Sequence, residues 1–130
     1  MTYCFTITLH TTFDSAVTRV IDALKQEGFG VLTDIQVDTT LKAKLGVDMR
    51  PYRILGACNP PLAHRMIMQA PDIGILMPCN VVVRQDADNM ISVVFLDPVS
   101  VFGLIEDAEL AKINQEARDK LLKVRDLLMN

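Results

Sequence analysis

Apolar and polar residues alternate from Thr2 to His10, with Tyr3, Phe5, Ile7 and Leu9 on one side and Cys4, Thr6, Thr8 and His10 on the other. A period of two predicts a half-buried strand with one wet face, as in an antiparallel sheet. The period then becomes helical. Behind Thr11-Thr12, which can cap a helix, Phe13, Ala16, Val17, Val20, Ile21 and Leu24 make a core-facing stripe that Gly28 ends. Val31 to Val37 predicts a second strand. Asp38 or Thr39 then caps a short helix through Leu45, closed by Gly46. After the Arg50-Pro51 break, Tyr52 to Cys58 is apolar on both sides apart from Arg53, the pattern of an interior strand.

Asn59 is a good helix cap and Pro60 suits the first helical position. The helix that follows should bury Leu62, Ala63, Met66, Ile67 and Ala70, leaving His64 and Met68 outside the stripe. Pro71 and Pro78 bracket a short apolar connection to a fourth strand, Cys79 to Gln85. Asp86 to Asn89 forms a hairpin turn and Met90 to Asp97 a fifth strand. Counting outward from that turn sets Cys79 opposite Leu96, within a residue of Asp97. The connector Val99 to Ile105 is apolar enough that it either folds back on the core or meets a partner, with Phe102 or its neighbours expected in a subunit interface. Asp107 caps a last helix with its stripe at Leu110, Ile113, Ala117, Leu121, Val124 and Leu128. The fold class is α+β: a mostly antiparallel five-stranded sheet with helices packed on one side, a single domain over residues 1–130.

Composition narrows the functional classes. With 130 residues, half of them apolar, the chain can build one substantial core. A net charge of −3 offers no basic footprint, so neither nucleic acid nor an anionic membrane is an expected partner. No uncharged apolar run approaches the roughly 20 residues of a membrane helix. The first ten residues lack the features of a signal peptide. Three cysteines without a disulfide framework fit a reduced, cytoplasmic setting. Gly28-Phe29-Gly30 precedes a strand instead of a helix, which removes the phosphate-loop reading.

Candidate chemistry concentrates between Arg53 and Val83, where two Cys-Asn pairs and a lone histidine sit at the ends of elements. The candidate ligand-binding residues are Cys58, Asn59, His64, Cys79, Asn80 and Asp97. Thiolates and an imidazole suit a soft metal, although Cys-x5-His with a distant cysteine is no standard zinc pattern. An antiparallel pairing of strands three and four would put Cys58 beside Cys79. A parallel pairing would leave about 17 Å between them. An enzyme would use Cys58 as nucleophile and His64 as base, yet Pro60 and Pro61 remove backbone donors that could stabilise a thiolate. The plainer roles are buried cysteines acting as small hydrophobes and asparagines acting as caps. Asp97 either ends a strand before Pro98 or accepts the His64 N–H. Arg53 and Arg65 either bind an anion or pair at the surface with Asp48 or Asp72, and Met68 is the methionine expected to contact a ligand.

The blocks Phe29–Thr33, Arg50–Pro60 and Leu76–Val83 resemble the domain-of-unknown-function 302 family, with the two Cys-Asn blocks as its specific marks. Gln36 departs from that pattern, where an acidic residue is expected. The resemblance spans nearly the whole chain. It implies a small bacterial or archaeal α+β domain, commonly dimeric, and brings no established reaction. The functional expectation is a cytoplasmic homodimer that binds a small molecule or soft metal ion at the strand ends carrying Cys58, Cys79 and His64. A thiol-dependent enzyme built on Cys58 and a purely structural dimerisation domain are the alternatives.

Overall fold

The N-terminal alternation forms β1 (Cys4–Leu9), which pairs antiparallel with β5 (Ile91–Leu96), the strand most distant from it in sequence. The computed structural model describes residues 2–129. Between these two strands come β2 (Gly30–Gln36), β3 (Tyr52–Cys58) and β4 (Cys79–Gln85), giving the order β1-β5-β4-β3-β2 with every pair antiparallel. The β4–β5 hairpin closes where Asn89 takes a positive φ of 62° and Asp88 accepts the Met90 N–H at 3.0 Å. Its ladder pairs Gln85 with Ile91 and Val81 with Phe95. Cys79 therefore falls one residue away from the position counted from the turn.

One face of the sheet carries Ile7, Leu9, Leu55, Val81, Val83, Val93 and Phe95, and it is buried under helices. Helix α1 (Phe13–Gln26) and the C-terminal half of α5 (Ala108–Met129) cover it, each through its predicted stripe. Phe5 and Phe95, directly paired across the ladder, stack with ring centroids 5.1 Å apart. A second cluster joins the N-terminal half of α5 to α3 (Pro60–Gln69), a 3₁₀ turn (Pro71–Leu76) and α4 (Pro98–Phe102). Asp107 fastens this cluster by accepting the Leu110 N–H at 2.9 Å and the Gln69 amide of α3. Those donors, the Leu110 amide first, hold its carboxyl below the usual range.

Two expectations change here. The first part of the Val99–Ile105 connector folds back in α4, and Phe102 is wholly buried in this chain's own second cluster and not available to a partner, while its neighbours Val99 and Leu104 are exposed. Large aromatic side chains gain most by complete burial, and the gap under α5 admits one. The short helix α2 runs Val37–Leu45 without a capping side chain. Asp38 is instead occupied in accepting the Tyr52 N–H at 3.2 Å, which ties α2 to the start of β3. Gly46 closes the helix with φ 70°, yet α2 buries none of its residues.

Candidate functional site

The antiparallel β3–β4 ladder pairs Ala57 with Cys79, so Cys58 and Cys79 lie at the same end of the sheet. The chain beyond Cys58 turns at once into α3. Asn59 makes that turn rigid: its Oδ1 accepts the Leu62 N–H at 3.4 Å, and its Nδ2 donates to the Glu27 carbonyl at 3.3 Å. The start of α3 is thereby tied to the end of α1. Gly28, with φ 83°, gives the Asn59 amide its space, since a Cβ there would sit 3.1 Å from Nδ2.

Edge strand β2 is less regular. Its register against β3 shifts between Val31 and Thr33, a bulge that turns the strand end. Opposite the bulge, Gly56 leaves no room for a side chain, because Thr33 and Pro78 occupy the place of a Cβ, Pro78 Cγ at 2.8 Å. A glycine inside a strand commonly marks such a close approach.

A cavity of about 370 Å³ opens where the sheet end, β2 and α3 meet. Ala57, Cys58 and Cys79 contribute to it from the sheet, and Asn59 from the turn. Helix α3 contributes Ala63, Met66 and Ile67. Their placement departs from the helical stripe. Met66 is buried, but Ala63 is only half-buried and Ile67 is 38 % exposed, because that edge of the stripe borders the cavity. Met77, just beyond the 3₁₀ turn, is in the wall as well. Met68 is not; it is 66 % exposed. The signal for Met66 and Met77 was their density with two cysteines between residues 58 and 79.

No acidic, basic or histidine side chain lines this cavity. Burial pushes the Cys58 thiol up. Burial, and secondarily the proximity of Cys58, push Cys79 up to about 12. Both are therefore neutral thiols at physiological pH. His64 is exposed on α3 and outside the cavity wall, so no base stands in the wall beside Cys58. Asn80 is exposed opposite Gly56 and also outside the wall. Asp97 is buried elsewhere: it accepts the Val99 N–H at 3.0 Å, capping α4, and Arg118 Nε at 3.2 Å from α5. Arg53 pairs with Asp34 and Arg65 with Glu116, instead of with Asp48 and Asp72. Among the described residues, no three His, Cys, Asp or Glu side chains gather as a metal site. The structure thus joins Cys58, Asn59 and Cys79 at one cavity and leaves His64, Asn80 and Asp97 apart.

Residues 5–128 match the family described as Domain of unknown function DUF302. The chain belongs to this family. It is similar in structure to the uncharacterized conserved protein DUF302 from Bacillus stearothermophilus, with a TM-score of 0.91 and 29 % identity. That likeness covers 98 % of this chain and 99 % of the other. A search of curated proteins found no match. In this DUF302 domain the two Cys-Asn pairs are split in their placement, three of the four residues at the cavity and Asn80 outside it. No described helix is long and apolar enough to cross a membrane.

Proposed function

We propose that this domain is a small-ligand-binding module whose site is the cavity between the sheet end and α3. The observation that supports the reading is a cavity of about 370 Å³ bounded mainly by apolar and sulfur-bearing side chains, with Thr33 and Asn59 as its polar members, within the size range of small-molecule sites. Such walls offer contact area and polarizable sulfur. They match a compact, soft or apolar ligand, and they supply no charged side chain for a phosphate or a hard cation such as Mg²⁺. Cys58 and Cys79 act in this reading as protonated wall groups and not as nucleophiles. A cysteine nucleophile needs a lowered pKa or an adjacent base, and neither accompanies them.

A neutral solvatochromic dye such as Nile red tests the site. Saturable one-to-one binding is expected for the wild-type protein. Gly74 is in the wall, and a Cβ added there meets nothing within 4 Å. Gly74→Leu should fit and occupy the cavity, as should Ala63→Phe, and either should abolish dye binding while leaving the fold intact. Equal binding in filled and unfilled proteins, or none in the wild type, would overturn the proposal.

We further propose a homodimer formed through the β2–α2 side of the molecule. Leu32 and Ile35 of β2 and Leu45, Val47 and Met49 at and beyond the end of α2 are all exposed. Helix α2 has no buried residue of its own. A run of exposed apolar side chains beside an unpaired sheet edge is what a second copy covers. The setting of this module is proposed to be cytoplasmic, supported by free cysteines without a disulfide among the described residues.

A further inference from the structure

Three local devices converge on the mouth of the cavity. The β2–β3 ladder passes from Val31–Ala57 to Thr33–Gly56 and leaves Leu32 without a partner. In a regular ladder Leu32 would oppose Gly56. The bulge gives that place to Thr33 and re-aims Leu32. Because Gly56 has no Cβ, Thr33 and Pro78 close over it, and both belong to the wall. Asn59 fixes the start of α3, the helix that supplies Ile67 to the same wall.

The resulting mouth is apolar and wet. Leu32 and Ile67 line the cavity, yet they are 69 % and 38 % exposed. Gly74, also exposed in the wall, leads directly into Ile75, which is 88 % exposed. The floor differs, for Phe29, Leu62, Met66 and Ala117 are all buried. The space therefore grades from a dry apolar floor to an apolar lip that water still touches.

That gradient selects a shape and a polarity. Asn59, the buried polar member of the wall, directs its amide to Glu27 and Leu62. Thr33, the other polar member, is exposed. A polar end of a ligand thus belongs beside Thr33 at the mouth, where it is not desolvated. No charged side chain lines the wall to pair with it, so that end is uncharged. A ligand confined to the floor leaves Leu32 and Ile67 in water, whereas one that runs outward covers them as well.

We propose that the ligand of this cavity is a linear alkyl chain with an uncharged polar end, its tail on the floor and its outer part against Leu32 and Ile67. The inference rests on the small-ligand reading above and names the ligand's class. Binding is non-covalent, and the two cysteines serve as contact surface with their protons in place.

The test is displacement of Nile red by straight-chain alcohols from butanol to decanol. Affinity should rise by about fourfold per added methylene, the value for burying one CH₂, up to the longest member. Leu32→Ser should weaken decanol by about tenfold, the lower end for covering a leucine, and leave butanol unchanged. Ile35→Ser, on the same strand, exposed and outside the wall, should change neither. Decanoate should bind about tenfold more weakly than decanol, since its charge finds no partner. Leu32 also borders the proposed subunit interface, so the series is repeated in the Leu45→Glu, Val47→Glu double variant, where the same dependence on chain length is expected. A slope lost in that variant would assign the lip to a partner copy and overturn the proposal. So would equal affinity along the series, equal losses for butanol and decanol on Leu32→Ser, or decanoate binding as tightly as decanol. Dye that binds but is not displaced by the alcohols removes the chain ligand and leaves the small-ligand site standing, whereas failure of the dye to bind removes both.

Discussion

Burial holds the Cys79 thiol at about 12, far above the value of about 8.5 in an unfolded chain. Between those values the folded protein keeps a proton that the unfolded chain releases, so stability falls as pH rises. The stabilisation is fully present below about pH 8 and declines above it by about 1.4 kcal/mol per pH unit for one thiol. Urea unfolding at several pH values from about 7 to 9.5 checks this, and Cys79→Ala should remove most of the slope. A slope unchanged in that variant would assign it to other groups. Gly56 supports a second expectation at the same scale. Gly56→Ala forces a methyl against Thr33 and Pro78 and should cost about 1–3 kcal/mol, the range for overpacking. Adding Thr33→Ala should recover part of that loss, because the flexible neighbour is then removed while the proline ring stays. Identical thermal midpoints for wild type and Gly56→Ala would refute the packing account. A glycine within a strand is a local sign of crowding, but the two residues responsible are 23 positions before it and 22 after it.

At the scale of elements, the strands were the most legible part of the chain. The apolar run Tyr52–Cys58 and its partner Cys79–Gln85 have the predicted limits, because proline or polar residues punctuate both. The α5 stripe is buried throughout. Helix α3 is the informative exception. Its apolar stripe is wider than its buried face, since Ala63 and Ile67 border an opening that periodicity cannot distinguish from core. What keeps α3 at the required angle is Asn59, a residue whose capping role was readable and whose bond to Glu27 was not. Asn59→Ala removes the cap and leaves the Glu27 carbonyl without this donor. It should lower stability by about 1–2 kcal/mol. Asn59→Asp keeps the acceptor for Leu62 but loses the donor to Glu27 and should fall between the two. Equilibrium unfolding of the three proteins decides the order, and a neutral Asn59→Ala would break the proposed link between α1 and α3.

For the whole molecule, the proposed dimer places its interface on β2 and α2, where exposed apolar side chains accompany a helix without a core of its own. A standard interface removes about 800 Å² from each partner. Sedimentation equilibrium at micromolar concentration should show a dimer. The double substitution Leu45→Glu with Val47→Glu should convert it to monomer without lowering the unfolding midpoint, since both side chains are exposed in the subunit. A monomeric wild type would end this proposal while leaving the cavity unaffected.

The sequence by itself determined the local structure: alternation made the strands, helical stripes made α1 and α5, and Gly28, Gly46 and Asn59 ended or began helices. These are properties of near neighbours along the chain, and each is encoded within a few residues. It also determined that β3 and β4 carry cysteines at adjoining ends once an antiparallel sheet is assumed. Only the tertiary structure decided which of the candidate residues share a space. His64 is five residues from Asn59 in sequence, yet it is on the exposed side of α3, whereas Met77 reaches the cavity from across the 3₁₀ turn. The connector shows the same division. Its apolar character was plain, but whether Phe102 faces a partner or its own core depended on the gap left beneath α5. Such gaps arise from how separate elements pack, and no local pattern along the chain records their shape.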